Sequence, residues 1–107
     1  MPGLKTLDAS NFTLELQRAG VALILFVDQW CPPWENLDAV LSDIASQYQE
    51  IILVGQVDVD QSPEIAVNQG IFDLPTLIFY QASQEVERLF GSHSRNTLVE
   101  RLSHILQ

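Results

Sequence analysis

The sequence contains one cysteine, Cys31, set in the run Trp30-Cys31-Pro32-Pro33-Trp34. Its thiol is the side chain best suited to covalent chemistry. A thiol on the first turn of a helix is drawn toward the thiolate by the positive end of the helix dipole and by unpaired backbone N–H groups. Two features work against this: Pro32 and Pro33 carry no N–H, and Asp28, Glu35 and Asp38 place negative charge nearby with no lysine to offset it. Cys31 is therefore expected to ionise less readily than a strong redox nucleophile, and a lone cysteine also has the plainer reading of a small buried hydrophobe. Whichever holds, one cysteine per chain excludes an intrachain disulfide, so the chain cannot complete a two-cysteine redox cycle by itself.

No other constellation competes with it. His93 lies in a loop and His104 near the chain end, with no further His or Cys at ligand spacing, so no metal site is expected. Asp58, Asp60 and Glu64 read as capping or solvated acids of a strand end and helix start. No Gly-rich phosphate loop, Ser-His-Asp arrangement or kinase-like set is visible, and no cofactor is expected.

The elements that must position Cys31 follow from periodicity. Residues 21–27 are a continuous apolar, β-rich run bounded by Gly20 and Asp28, as in a strand covered on both faces. Cys31 falls just beyond it, where an open α/β sheet gathers its sites. From 32 to 48 the period changes, with Leu37, Val40, Leu41, Ile44 and Tyr48 on one face of a helix. Residues 51–59 form the next buried strand, and Ser62-Pro63-Glu64 opens a short helix that stops at Gly70. Upstream, residues 4–7 are a short first strand, and Ser10 caps a helix to Ala19 with Phe12, Leu16 and Ala19 inward. Downstream, 76–80 and 85–90 are two strands joined as an antiparallel hairpin through residues 81–84. Ser94 then caps a last helix whose stripe is Leu98, Val99, Leu102, Ile105 and Leu106. The order is β-α-β-α-β-α-β-β-α, and the long crossovers 28–50 and 60–75 imply parallel pairing of the central strands.

Composition agrees with one α/β domain. The chain has 107 residues, 47% hydrophobic and 18% charged, without a repeat or linker to divide it. Its longest apolar run falls well short of the ~20 residues of a membrane span, so no membrane association is expected. Five Lys and Arg face 14 Asp and Glu, a formal charge of −9, which excludes a basic nucleic-acid surface. Residues 1–8 do not resemble a secretory signal, and a single cysteine suits a reducing compartment, so a cytoplasmic monomer is expected.

Beyond these readings the sequence resembles the thioredoxin family over about residues 6–106. Leu25-Phe26-Val27-Asp28-Gln29-Trp30-Cys31 resembles the family's strand leading into Trp-Cys-x-x-Cys. Asp58-Val59-Asp60 resembles the end of its next strand, and Leu74-Pro75-Thr76 its cis-proline loop. Gly91 stands where the family has a glycine after the last strand. The resemblance implies a thioredoxin-like α/β fold with a central mixed sheet of four to five strands flanked by about four helices. It also implies that Cys31, Pro75 and Gly91 converge on one surface, with a cis Leu74–Pro75 bond. Client contacts would then come from Trp30, Pro32, Pro33, Trp34, Leu74, Pro75 and Gly91. An apolar patch around Cys31 would include Val59 and Phe90, although the Trp34 indole could equally fill space under the turn.

The departures bear directly on function. Trp34 stands in place of the family's resolving cysteine, Leu25 in place of its buried aspartate, and Gln56 in place of a lysine in the next strand. Ala39 replaces its helix-kinking proline, and Glu35 the lysine after the motif. The expected function is a monothiol protein whose Cys31 forms mixed disulfides with client proteins or glutathione in redox homeostasis. It would be at most a monothiol oxidoreductase; the alternative is a binding module that keeps the fold without redox turnover.

Overall fold

Successive side chains of a strand point to opposite faces of its sheet, and this alternation organises the molecule. Within the 21–27 run, Ala22, Ile24 and Phe26 enter one buried cluster while Leu23 and Leu25 enter another. The computed structural model describes residues 4–29, 35–49, 51–91 and 93–107. It contains β1 (Lys5–Leu7), α1 (Phe12–Ala19), β2 (Val21–Val27), α2 (Glu35–Gln47) and β3 (Leu53–Asp58). There follow α3 (Pro63–Gln69), β4 (Thr76–Gln81), β5 (Gln84–Phe90) and α4 (Arg95–Leu106). The five strands form one mixed sheet in the order β1-β3-β2-β4-β5, which is the thioredoxin-like architecture expected.

Phe12 and Leu16 of α1 and Ile65 of α3 belong to the cluster on one face; Phe12 meets the rings of Phe26 and Tyr80 edge-on at 6.4 and 6.1 Å. Leu37, Leu41 and Ile44 of α2 and Leu98 and Leu102 of α4 belong to the cluster on the other. No helix among the described residues is long and apolar enough to cross a membrane.

Strand direction departs from the crossover argument in one place. β3 is parallel to β1 and β2, but β4 runs antiparallel to β2 and β5. The seven residues of α3 rise only about 10 Å, against about 20 Å for a six-residue strand. The chain therefore re-enters the sheet at the end it left, with Thr76 opposite Phe26.

Local chemistry explains the remaining differences. Asn11, not Ser10, is the residue before α1. Asp8 Oδ1 instead accepts from the Ser10 N–H (2.9 Å) and hydroxyl (2.5 Å), and Asn11 Oδ1 accepts from the Asp8 N–H (2.8 Å). The bonds from Ser10, chiefly its hydroxyl, hold the Asp8 carboxyl below its usual range. Ser62 precedes α3 with Pro63 in its first turn, yet its side chain makes no cap bond. Ser94 does cap α4, accepting from the Thr97 N–H at 3.2 Å. The hairpin is tighter than expected: β4 and β5 extend through Gln81 and Gln84, leaving Ala82 and Ser83 at φ 52° and 67°. Leu106 is 37% exposed and falls outside the α4 stripe, and Ala19 is only half-buried.

Candidate functional site at the carboxyl end of the sheet

Four chain segments meet where β2 ends. Val27 pairs with Asp58, and the Val59 N–H donates to the Val27 carbonyl at 2.8 Å. On the other side Thr76, the first residue of β4, stands opposite both Phe26 and Phe90. The Gly91 N–H then donates to the Pro75 carbonyl at 2.9 Å. Of the residues the sequence brings together, the structure thus joins Pro75 and Gly91 at the end of the sheet from which residue 28 departs. Trp30, Cys31, Pro32, Pro33 and Trp34 lie outside the described residues.

The Leu74–Pro75 peptide is cis. Pro75 and Thr76 are buried, and the Thr76 hydroxyl donates to the Asp73 carbonyl. Leu74 is half-buried against the α1/α3-side cluster, and its backbone bonds to no other described residue. Gly91 has φ +79°, with no atom near the position a Cβ would take. Backbone conformation, not crowding, calls for glycine there.

The 70–75 loop is held by a residue that sequence reasoning passed over. Arg88 of β5 donates through Nη1 to the Gly70 carbonyl (2.7 Å) and through Nη2 to that of Gln69 (2.6 Å). The same guanidinium grips both carboxylate oxygens of Glu85, at 2.8 and 2.7 Å. A cation on the last carbonyls of a helix satisfies acceptors that have no partner within it. Tyr80 adds a second tie, its hydroxyl donating to Gln69 Oε1 at 2.7 Å. Burial first, then the Glu85 charge, pushes the Tyr80 hydroxyl well above its ordinary range, so it stays protonated as this donor.

Of the apolar patch expected, Val59 and Leu74 pack against the core, while Phe90 is 53% exposed. Phe72, not singled out from the sequence, is 90% exposed in the same loop. One aromatic between Gly70 and Pro75 has no periodicity to mark it. Asp58 Oδ1 accepts from the N–H groups of Asp60 (2.8 Å) and Gln61 (3.3 Å), a turn-forming role at the strand end. His93 Nε2 lies 2.9 Å from the Phe90 carbonyl. Among the described residues no cluster of three or more His, Cys, Asp or Glu could hold a metal ion. A shallow cleft of about 580 Å³ lies at the start of β3, lined by Lys5, Glu15, Arg18 and Leu53, at the opposite end from this site.

Two departures from the family pattern turn out to be register neighbours. Leu25 of β2 stands opposite Gln56 of β3 on one side and Leu77 of β4 on the other. Leu25 is 1% exposed and Gln56 half-buried. An apolar pair of strands thus occupies the ground where the family keeps an acid.

A sequence model of the thioredoxin family matches residues 3–104. The thioredoxin of Mycobacterium bovis is 33% identical over 103 residues, which is 96% of this chain and 89% of that protein. The bifunctional thioredoxin reductase/thioredoxin of Mycobacterium leprae is 32% identical over 103 residues, and this chain spans 22% of its length. A mutant thioredoxin from Halobacterium salinarum superposes with a TM-score of 0.86 at 22% identity, over 96% of this chain and 90% of that one, a likeness of fold. The chain belongs to the thioredoxin family.

Proposed function

We propose that the protein is a monothiol thiol–disulfide exchange protein of cell redox homeostasis, working as a cytoplasmic monomer. The Cys31 thiolate attacks one sulfur of a client disulfide. A Cys31–client S–S bond forms as the client's own S–S bond breaks, and the second client sulfur leaves as a thiolate that takes a proton from solvent. An external thiol such as glutathione then attacks the mixed disulfide; its sulfur stays with the client and Cys31 is released as thiolate. Trp30, Pro32, Pro33, Trp34, Leu74, Pro75 and Gly91 are the proposed contacts for the client. Pro75 is buried and its carbonyl is taken by Gly91, so the backbone of Leu74 is the better candidate for pairing with an extended segment.

One observation carries the reading: a single cysteine, with Trp34 at the resolving position and Leu25 beside Gln56 where acid and lysine belong in the family. Without a resolving thiol a buried base has no proton to move. An unpaired carboxylate there would instead cost several kcal/mol of desolvation. In a disulfide-reduction assay driven by thioredoxin reductase the protein is expected to show little or no turnover. Rates comparable with a two-cysteine relative would overturn the proposal.

The same three replacements also favour a second reading, a binding module that keeps the docking face and has given up redox turnover. Incubation with oxidised glutathione and with client disulfides, followed by mass spectrometry, separates the two. The monothiol reading predicts adducts on Cys31. Their absence, with client binding unchanged in Cys31→Ser, would establish the binding module.

A further inference from the structure

We infer that the face formed by the 70–75 loop and the end of β5 selects extended polypeptide segments bearing Lys or Arg beside an apolar residue over otherwise equal segments bearing Asp or Glu. This names the client class for the site proposed above and rests on that reading only for the covalent step.

The apolar part of the face is Phe72 and Phe90, 90% and 53% exposed. Arg88 ties the Gln69 and Gly70 carbonyls to β5, and Phe90 is the next residue on the same face of that strand. Both rings therefore flank one loop. Leu74 lies in it with a backbone bonded to no other described residue. An exposed aromatic near one residue, Leu74, whose main chain bonds to none of the described residues suits an extended segment that adds main-chain bonds and seats one side chain.

Charge supplies the selectivity. Residues 19–87 contain no Lys or Arg. All five cations of the chain are already in ion pairs: Lys5 and Arg18 with Glu15, Arg88 with Glu85, Arg95 with Asp43 and Arg101 with Glu87. Asp60 and Asp73, by contrast, are exposed and form no ion pair among the described residues, one just after β3 and the other next to Phe72. Glu64 adds a further acid in the first turn of α3, just after β3. The one cation on this face, Arg88, is held by Glu85 and the loop carbonyls, so an approaching ammonium or guanidinium is drawn to the exposed carboxylates and an acidic segment is repelled by them.

The test uses the full chain and three peptides with a central Phe and Ser, identical except for flanking Lys, Gln or Glu; none contains cysteine, so Cys31 chemistry does not enter. Binding is read by fluorescence anisotropy. The Lys peptide is expected to bind about tenfold more tightly than the Glu peptide at low salt, falling to about twofold near 0.5 M, where screening acts within a few ångströms. Asp60→Asn with Asp73→Asn should remove most of that difference and spare the Gln peptide, while Phe72→Ser should weaken all three. Equal binding of the Lys and Glu peptides, or a preference untouched by the two Asn substitutions, would overturn the inference. So would self-association abolished by Phe72→Ser, which would assign the face to a second copy of the chain. In a parallel run with Cys in place of Ser, supplied as the peptide disulfide, charge-selective binding without a Cys31 adduct would uphold the inference while defeating the monothiol reading.

Discussion

Returning the family's acid to its place is an informative perturbation, because the structure states what it would meet. Leu25 is 1% exposed and belongs to a cluster with Leu37, Leu41, Leu77 and Leu98. Leu25→Asp removes about 2–3 kcal/mol of apolar burial and leaves a void of the kind that makes buried Leu→Ala cost about 2–5 kcal/mol. The carboxyl has no cation in register, its neighbours being Gln56 and Leu77. Desolvation therefore raises its folded pKa above the unfolded value of about 3.9. The sign follows: below the unfolded pKa both states are protonated and the charge penalty is absent. As pH rises, the unfolded chain gives up its proton first, and the penalty grows until the folded pKa is passed, at about 1.4 kcal/mol per unit of displacement. At neutral pH the packing and charge parts together are expected to cost about 5 kcal/mol or more, comparable with the lower end of the ~5–15 kcal/mol of a typical domain. Urea titrations of wild type, Leu25→Asp and Leu25→Asn across acid to neutral pH isolate the charge, since Asn has the shape without the titration. Adding Gln56→Lys should recover about 1–2 kcal/mol in Leu25→Asp and little in Leu25→Asn, as expected for neighbours that couple. A Leu25→Asp protein as stable as wild type at pH 7, or one that tracks Leu25→Asn at every pH, would refute the reasoning.

Three further expectations concern the frame of the site. Gly55→Ala would set a Cβ 2.8 Å from Leu7 Cδ1 and 3.2 Å from the Lys5 carbonyl; a loss of about 1–3 kcal/mol, with early hydrogen exchange along β1, is expected, and unchanged exchange there would contradict the close approach. Ala82→Asn with Ser83→Gly puts better residues at the two positive-φ turn positions and should raise stability by about 1 kcal/mol in urea titration. Arg88→Lys keeps the charge but cannot serve two carbonyls and a carboxylate at once, so a loss of about 2 kcal/mol is expected; full rescue by lysine would show that charge alone suffices.

Legibility in the sequence differed from element to element. β2 was readable because burial on both faces leaves a continuous apolar run, and α2 and α4 because each buries one stripe. The direction of β4 was not, since crossover length says that a helix intervenes but not at which end of the sheet the chain returns. The start of α1 lies one residue beyond the expected one because Asp8 engages the Ser10 hydroxyl, while Asn11, which precedes the helix, spends its side-chain oxygen on the Asp8 N–H and makes no cap bond. The turn at Ala82 and Ser83 carries neither Gly nor Asn, so nothing in composition marked its length. At the site, Pro75 and Gly91 were legible through a family pattern. The bonds of Arg88 to Gln69 and Gly70 and the exposure of Phe72 were not, because both depend on a strand and a loop that meet only after folding.

The central claim is that one thiol captures a partner and has no internal means of release. The direct measurement is intact-protein mass spectrometry over time after mixing the reduced chain with a client-peptide disulfide, removing the excess, and later adding an external thiol. One peptide adduct per chain, on Cys31, that persists until the external thiol is added is the result predicted. An adduct that disappears before that addition, or no adduct on Cys31 at all, would contradict it.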